Sequence, residues 1–252
     1  MPNKFSNNLV SIIFAAGRGT RLIPLTDITP KPLLKVQNKP LIEWNMEQVV
    51  AKVDKFVIVI SYLGEQIQEY FGDNYKGVPI EYVKQTNPKG GNLDALSVAI
   101  YNSSPDILTK NYLIQHCDDI HGKQTFDNLF DKINQNPDQA YLSAKIIEDR
   151  EKLKSFGVFR MNEQHKFLEI VEKPQEFVSE LANIAINYFP NKVINFVPEN
   201  IEYLGKEAFI TDMFNEYSKL FPIEVIPTTA LWIPITSISD LEMAQKYFAD
   251  QS

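Results

Sequence analysis

Apolar and polar residues form blocks along the first half of the chain that predict strands and helices in turn. Runs of β-branched and other apolar residues predict buried strands, and apolar residues at helical spacing predict amphipathic helices. We predict strands at residues 9–16, 55–61, 78–84 and 112–115, and helices at residues 41–52, 64–71 and 92–102. This alternation is typical of βαβ units and predicts an α/β fold with a mixed, mostly parallel central sheet flanked by helices.

The second half of the chain is less regular. Here we predict strands at residues 141–147, 157–161 and 167–171, and helices at residues 209–220 and 238–248. The chain shows no internal repeat, no low-complexity linker and no long run of like charges. We therefore predict one domain over residues 1–252, in which the second half adds to the same sheet.

Composition and charge exclude several classes of protein. With 44% hydrophobic and 23% charged residues, the 252-residue chain has the composition of a globular protein. Its formal net charge of -7 argues against non-specific nucleic-acid binding, and its single cysteine, Cys117, excludes an intramolecular disulfide and a Cys-rich zinc site. The N-terminal residues are polar and the apolar runs are too short for a membrane span. We expect a cytoplasmic protein without nucleic-acid or membrane partners; its oligomeric state is open.

Two glycines and two cations follow the first predicted strand. Gly17 and Gly19 lie just beyond the strand end, where a missing Cβ atom lets backbone N–H groups approach phosphate oxygens. Arg21 and Lys31 add positive charge, and an Arg side chain can bind phosphate in bidentate fashion. Taken alone, a Gly-x-Gly sequence favours the simpler interpretation, an ordinary turn with both cations in solvent.

The longer segment around these residues resembles the signature of the sugar-phosphate nucleotidyltransferases, G-x-G-T-R-x-x-P-L-T followed by P-K-P-L. The match runs from Gly17 to Leu33, and the sequence PLIE at residues 40–43 extends it. The resemblance implies a Rossmann-like fold whose glycine-rich loop wraps the phosphates of an NTP, with the Arg and Lys stabilising the reacting phosphates. These roles fall on Ala16, Gly17, Gly19, Thr20, Arg21 and Lys31.

Two aspartates follow the predicted strand 112–115. In an α/β sheet the carboxyl end of a central strand is where ligands usually bind, and Mg²⁺ prefers carboxylate and phosphate oxygens. Because adjacent side chains diverge on extended backbone, we expect only one of Asp118 and Asp119 to face the nucleotide. The stretch resembles the family's strand-end G-D-N/D-D pattern, with Cys117 in place of the Gly, which implies Mg²⁺ as cofactor and Asp118 as its ligand. Alone, the pair would favour a solvated turn.

Gln85 ends another predicted strand. Its amide offers both a donor and an acceptor, which suits the edge of a pyrimidine base. Pyrimidine-using members of the family carry a Gln followed five positions later by a Gly, and Gln85 and Gly90 match this spacing. The simpler interpretation is a capped loop, with Asn92 as the N-cap of the next helix and Asp94 in its first turn, and both interpretations can hold at once. Selectivity between U, T and C remains open.

Motifs in the second half point to the acceptor. Residues 155–158 (SFGV) and 171–174 (VEKP) resemble the family's Y-G-V and E-K-P motifs. The resemblance implies that Glu172 binds sugar hydroxyls and Lys173 the acceptor phosphate, while Gly157 allows close approach.

A further segment, beginning at Asn183, resembles the family's N-x-G-I-Y sequence and is expected to contact the acceptor. Ala185 and Asn187 replace its Gly and Tyr. This difference changes one wall of the expected acceptor pocket and leaves the identity of the acceptor open.

A departure from the family pattern lies near the C-terminus. Residues 232–237 resemble the W-x-D-x-G-T sequence whose Asp helps to hold the metal, but Pro234 stands in the place of that Asp. Some relatives use an Asn two positions later, where this chain has Thr236, a poorer cation ligand. Either Asp118 and the phosphates hold the metal, or another acid such as Asp212 contributes, or catalysis is impaired.

Three hypotheses follow for the function. The first is a nucleotidyltransferase that joins an NTP, expected to be a pyrimidine NTP, to a sugar 1-phosphate and releases pyrophosphate, with residues 1–120 or so binding the nucleotide and 121–252 the acceptor. The second is the same fold acting on a non-sugar phosphate, as in choline-phosphate-type cytidylyltransferases. The third is a nucleotide-binding protein that no longer catalyses.

Overall fold

A computed structural model describes residues 8–87, 89–202 and 207–251 of the chain. Its strands are, in chain order, β1 (Leu9–Ala15), β2 (Lys35–Val36), β3 (Lys39–Pro40), β4 (Lys55–Ile60), β5 (Asn74–Tyr75), β6 (Val78–Lys84), β7 (Asn111–His116), β8 (Asp119–His121), β9 (Ala140–Ile146), β10 (Gly157–Met161), β11 (Phe167–Glu172), β12 (Leu181–Phe189), β13 (Ile223–Pro227) and β14 (Trp232–Pro234). Its α-helices are α1 (Leu41–Val49), α2 (Gly64–Phe71), α3 (Gly91–Tyr101), α4 (Lys123–Gln135), α5 (Arg150–Leu153), α6 (Ile210–Ser218) and α7 (Ile238–Ala249).

Among the residues that the structure describes, ten strands form one mixed sheet in the order β11-β10-β12-β7-β1-β4-β6-β5, with β9 and β13 joined to it through β12. The centre is parallel, because β1 pairs in parallel with both β4 and β7, and β4 with β6. Beyond β7 the pairing becomes antiparallel at β12. The predicted α/β fold is confirmed, and strands from both halves of the chain share one sheet. The division near residue 120 stays a prediction.

Both faces of the central strands are covered. Val10 and Ile12 of β1 pack into a core with α3, whereas Leu9 and Ile13 pack on the opposite face with α1 and α4. A strand buried on both faces needs apolar residues at successive positions, which explains the continuous apolar run that marks β1 in the sequence.

Several elements differ from their predicted form. Helix α4 was not predicted, although Phe126, Leu129, Phe130 and Ile133 are buried at helical spacing. The prediction that Asn92 caps its own helix is wrong, because its Oδ1 atom accepts a hydrogen bond from the backbone N–H of Ile210 at 2.7 Å. This bond instead ties α3 to the first residue of α6.

Strands β8 and β14 form a short antiparallel ladder outside the large sheet. Asp119 lies opposite Pro234, and the backbone N–H of Ile235 donates to the carbonyl of Asp118 at 3.1 Å. The segment near the C-terminus therefore lies beside the aspartates that follow β7.

Of the helices in the described part of the chain, none has the length and apolar character that crossing a membrane requires.

Candidate active site

The glycine loop leaves β1 at the carboxyl edge of the parallel strands. Gly19 has a φ of 67°, in the left-handed region, and its carbonyl accepts a hydrogen bond from the Thr26 hydroxyl at 2.9 Å. A Cβ atom at Gly19 would lie 3.0 Å from the Thr26 methyl group and 3.1 Å from the Lys31 Cβ atom. Glycine is thus required here by backbone conformation and by the space that Lys31 occupies.

A first cavity of about 630 Å³ opens at this edge of the sheet. Its position matches the crevice at the carboxyl ends of strands where open α/β sheets bind ligands. Of the residues that the sequence singled out for nucleotide and metal, its lining contains Ala16, Gly17, Gly19, Thr20, Lys31, Gln85 and Asp118. Gly90, which was predicted to bind the nucleotide together with Gln85, is absent from this lining, whereas the next residue, Gly91, is part of it.

A second cavity of about 310 Å³ lies next to the first. Of the residues assigned to catalysis and to the acceptor, its lining contains Arg21, Asp118, Gly157, Glu172, Lys173 and Asn183. Arg21 therefore lies on the second cavity and is absent from the lining of the first. His116, Asp118 and Glu207 line both cavities, so the strand-end aspartate marks the place where the cavities meet.

Lys31 and Asp118 form an ion pair at this junction. The Lys31 Nζ atom lies 2.5 Å from the Asp118 Oδ2 atom, and the two side chains are only 10% and 28% exposed. Burial acts to lower the pKa of Lys31, but the charge of Asp118 and its hydrogen bond outweigh this and raise it. Burial likewise acts to raise the pKa of Asp118, and Lys31 holds it below its ordinary value. Both groups are therefore charged at neutral pH.

Asp119 differs from its neighbour in environment. It is buried, it lines only the second cavity of the two, and its Oδ2 atom accepts a hydrogen bond from the Trp232 indole at 2.9 Å. Burial and the adjacent charge of Asp118 raise the pKa of Asp119 to about 8. The two carboxyl groups thus face different surroundings, as the extended backbone predicts.

Neither Cys117 nor His116 carries the features of a nucleophile or of a zinc ligand. Burial and the charge of Asp118 raise the pKa of the Cys117 thiol well above its ordinary value, so the reactive thiolate is disfavoured. The His116 ring packs at a tilt on Phe14 with the ring centroids 5.6 Å apart, and burial lowers its pKa.

The residues at the junction fit a magnesium ion that takes few ligands from the protein. Asp118 offers a partly exposed carboxylate to both cavities. The Thr236 hydroxyl, by contrast, donates to the Asp240 Oδ2 atom at 2.7 Å and is therefore already hydrogen-bonded within the protein. Asp212 is exposed and lines neither cavity. Within residues 8–87, 89–202 and 207–251, no group of three or more His, Cys, Asp or Glu side chains is arranged to hold a metal. Mg²⁺ commonly keeps one or two carboxylates and completes its shell with phosphate oxygens and water.

Two charged neighbours in the sequence, Glu172 and Lys173, both line the second cavity. Lys173 has a φ of 46°, and its Nζ atom lies 4.8 Å from the centroid of the Phe209 ring and 3.8 Å from the Glu207 Oε2 atom. Burial raises the pKa of the neighbouring Glu172, and Lys173 opposes this shift. The pair offers a charged donor for an anion and a carboxyl group for hydroxyls.

A bulge in β12 forms another wall of the second cavity. The pairing of β12 with β9 shifts between Asn183 and Asn187, and Ala185 within the bulge has a φ of 58°. The Asn183 Nδ2 atom donates to Asn187 Oδ1 at 2.9 Å, and Asn183 Oδ1 accepts from the Ala185 N–H at 2.7 Å. The residues that replace the family's Gly and Tyr are thus held in one small polar network.

Several residues that line the cavities were not predicted. Ser61 and Tyr62 follow β4 directly and line the first cavity, and their strand-end position was a signal that could have identified them. Glu207 lines both cavities, but no sequence pattern marks it. Its position depends on the packing of α6 against α3, where the Leu93 N–H donates to the Ala208 carbonyl at 3.1 Å.

The chain matches the Nucleotidyl transferase family over residues 10–251. It belongs to that family. The resemblance inferred from the glycine loop is therefore confirmed. One relative is the UTP–glucose-1-phosphate uridylyltransferase AglF of Haloferax volcanii, to which the chain is 31% identical over 173 residues. The match covers 68% of each of the two chains.

Two further similarities extend along almost the whole chain. The bifunctional protein GlmU of Methanococcus maripaludis is 26% identical over 243 residues, which cover 96% of this chain and 54% of that protein. The chain thus spans about half the length of the GlmU relatives it matches. A solved structure of UDP-glucose pyrophosphorylase in complex with UDP-glucose superposes with a TM-score of 0.84 at 19% identity, covering 96% of this chain and 99% of the other. This likeness concerns the fold.

Proposed function

We propose that this member of the nucleotidyl transferase family joins a pyrimidine NTP to a sugar 1-phosphate, releasing pyrophosphate and forming an NDP-sugar. One observation carries the proposal: a cavity beside the glycine loop and a cavity beside Lys173 meet at Asp118 and its partner Lys31. A reaction between two phosphorylated substrates requires two adjoining sites with cations near the point of contact. In this proposal the first cavity holds the NTP and the second holds the acceptor.

The chemistry requires little beyond positioning and charge neutralisation. An acceptor phosphate oxygen forms a bond with the α-phosphorus of the NTP. The bond from that phosphorus to the bridging oxygen breaks, and pyrophosphate leaves with the electron pair. Because the second pKa of a phosphate monoester is about 6, the acceptor is largely a dianion at neutral pH and needs no general base.

The cations at the cavities have distinct roles in this proposal. Lys31 neutralises charge on the nucleotide phosphates from the first cavity, while Arg21 and Lys173 orient the acceptor phosphate from the second. Asp118 is the residue that would hold Mg²⁺, and bound Mg²⁺ neutralises negative charge on the phosphates. Glu172, Gly157 and Asn183 contact the sugar.

Similarity supports the choice of substrates. The Haloferax volcanii relative is named as an enzyme of UTP and glucose 1-phosphate, which combines a pyrimidine nucleotide with a sugar 1-phosphate. The Gln85 amide on the first cavity suits a pyrimidine edge.

A panel of substrates tests the proposal. Each common NTP is combined with Mg²⁺ and with sugar 1-phosphates or choline phosphate, and pyrophosphate release is measured. We expect release with a pyrimidine NTP and at least one sugar 1-phosphate. Release with choline phosphate alone would favour a non-sugar acceptor, which the altered wall at Ala185 and Asn187 makes a relevant comparison. Tight NTP binding without release for any acceptor would favour the non-catalytic alternative suggested by Pro234.

A further inference from the structure

In the described part of the chain, β11 is the outermost strand on one side of the large sheet. It pairs with β10 along one edge, and helix α6 packs against it. Ile170, in the middle of this strand, is only 2% exposed. Backbone groups that point outward from a buried strand edge need hydrogen-bond partners, because water does not reach them.

The side chain of Asn215, on α6, supplies both partners that Ile170 needs. The Ile170 N–H donates to the Asn215 Oδ1 atom at 2.8 Å, and the Asn215 Nδ2 atom donates to the Ile170 carbonyl at 2.9 Å. A side-chain amide carries an acceptor and a donor side by side, as the backbone of a neighbouring strand does. Asn215 therefore takes the place of a further strand and fixes α6 relative to β11.

The same two elements form one wall of the second cavity. Glu172 ends β11, Thr211 is the second residue of α6, and both line that cavity. Burial raises the pKa of the Glu172 carboxyl, and Lys173 and Thr211 oppose this shift. The Lys173 Nζ atom lies 4.8 Å from the centroid of the Phe209 ring. The end of β11 thus meets the beginning of α6 at the second cavity.

The contact at Asn215 and the contacts at the cavity are in register. The strand and the helix run past each other in opposite directions, so that Ile170 meets Asn215 and Glu172 meets Thr211. Two residues of a strand span about 6.6 Å and four residues of an α-helix span about 6 Å. Because these spans are nearly equal, the pairing of Asn215 with Ile170 brings Thr211 level with Glu172.

We propose that Asn215 is a positioning residue for the acceptor, which holds the beginning of α6 against the end of β11 and so sets the shape of the second cavity. Asn215 itself lines neither cavity. The inference rests on the proposed function, because it takes the second cavity as the acceptor site.

Steady-state kinetics of the full chain with Mg²⁺, a pyrimidine NTP and a sugar 1-phosphate test this proposal. Asn215→Ala should lower kcat/KM for the sugar 1-phosphate at least about tenfold, because a small displacement of positioning groups has a large effect on rate. The Kd for NTP, measured by calorimetry, should stay nearly unchanged. The bond from the Ile210 N–H to Asn92 still holds the beginning of α6 on α3 in this variant.

Asn191→Ala is the matched control for loss of stability. The Asn191 amide also makes two bonds to the backbone, donating to the carbonyls of Leu108 and Lys110 at 2.7 Å and 3.0 Å. These residues precede β7 and are absent from the linings of both cavities. Asn191→Ala should lower the melting temperature to a similar extent as Asn215→Ala, while the kinetics for the acceptor stay unchanged.

Asn215→Asp supplies a pH-dependent measurement that a merely structural role would not move. Its carboxylate accepts from the Ile170 N–H but repels the Ile170 carbonyl, whereas its protonated form accepts and donates as the amide does. We divide the kcat/KM of each variant by that of the wild-type protein at the same pH. This quotient should rise for Asn215→Asp as the pH falls from about 8 to about 5, because the facing carbonyl favours the neutral form, and stay constant for Asn215→Ala.

The outcomes distinguish this inference from the function on which it rests. Unchanged acceptor kinetics in a folded Asn215→Ala protein, an equal loss in Asn191→Ala, or a constant quotient for Asn215→Asp overturns the role of Asn215 and leaves the proposed function standing. The Asn215→Asp measurement decides the proposal where Asn215→Ala does not fold. A wild-type protein that releases no pyrophosphate with any NTP and acceptor overturns both.

Discussion

The Nζ atom of Lys31 lies 2.5 Å from the Oδ2 atom of Asp118, although the residues are 87 positions apart. This ion pair joins the loop after β1 to the end of β7, and Asp118 lines both cavities. Each charge is partly withdrawn from water and is neutralised by the other. In the proposed reaction, nucleotide phosphates and Mg²⁺ would bring new partners for Lys31 and Asp118 respectively, and the pair holds both groups where the two cavities meet.

The first prediction concerns the cation of that pair. Lys31→Ala should reduce turnover by about 10²-fold or more, because a donor aimed at developing phosphate charge is lost. Steady-state pyrophosphate release measures the effect. Lys35→Ala, which removes an exposed lysine four positions away, should leave the rate unchanged. Lys31→Met retains most of the packing without the charge, and near-normal activity in that variant would remove Lys31 from the mechanism.

The second prediction contrasts two glycines of the same loop. Gly17 has no atom within 4 Å of an added Cβ, whereas Gly19 has a φ of +67° and Lys31 nearby. Gly17→Ala should therefore fold with normal stability and bind NTP at least about tenfold more weakly, because its methyl group enters the cavity. Gly19→Ala should lose about 1 kcal/mol of stability as well, owing to its left-handed backbone. Denaturant titrations and nucleotide calorimetry measure both effects. Equal stability of the two variants would contradict the described loop conformation.

The sequence predicted features that depend on a local pattern of residues better than features that depend on contacts between side chains. The glycine loop, Lys31 and Asp118 were identified because they lie at strand ends and follow a signature. Helix α4 carried a readable apolar pattern and was missed. The hydrogen bond from Gln85 to Asp94 depends on two side chains meeting across a turn, which strand and helix periodicity does not reveal.

The second cavity was predictable in composition but not in arrangement. Glu172 and Lys173 were identified from a short motif, and both line the cavity. Arg21 and Glu207 reach the second cavity through packing between distant segments. Such contacts are set by tertiary structure, for which one sequence contains no local signal.

The third prediction tests the acceptor side. Lys173→Ala should lower kcat/KM for the sugar 1-phosphate at least about tenfold, because a cation for the acceptor phosphate is removed. The Kd for NTP should change little, since Lys173 lines the second cavity and is absent from the lining of the first. Initial rates at varied acceptor concentration, with calorimetry for the NTP, separate the two. Lys166→Ala, on an exposed turn, is the matched control. A weakened NTP affinity with unchanged acceptor kinetics would reverse the assignment of the cavities.

The fourth prediction concerns the bulge in β12. Ala185 has a φ of 58°, a conformation that glycine adopts without steric cost. Ala185→Gly should therefore raise the free energy of unfolding by about 0.5–1 kcal/mol, after allowance for the greater freedom of glycine in the unfolded chain. Urea titration measures the change. Ala182→Gly, at a buried residue of the same strand, should instead destabilise the protein by about 1 kcal/mol. A loss of stability in Ala185→Gly would argue against the left-handed backbone.

The fifth prediction is a pH dependence that originates at His121. This buried ring has Nε2 2.8 Å from the Ile184 carbonyl and Nδ1 3.2 Å from the Asn45 Oδ1 atom. Burial lowers the pKa of His121 to about 4, although the hydrogen bond to Ile184 and the charge of Asp118 oppose this shift.

Because the folded state holds His121 neutral while the unfolded chain protonates it near pH 6.5, stability from this residue is present above pH 6.5 and is lost as the pH falls toward 4. Between pH 7 and pH 5 the loss should be about 2 kcal/mol. The three imidazoles of the chain allow direct titration by NMR, and urea unfolding at both pH values measures the energy. His121→Gln should reduce the pH dependence, whereas His165→Asn, at an exposed position, should not. An NMR pKa for His121 near 6.5 would show that the two acceptors around the ring compensate fully for its burial.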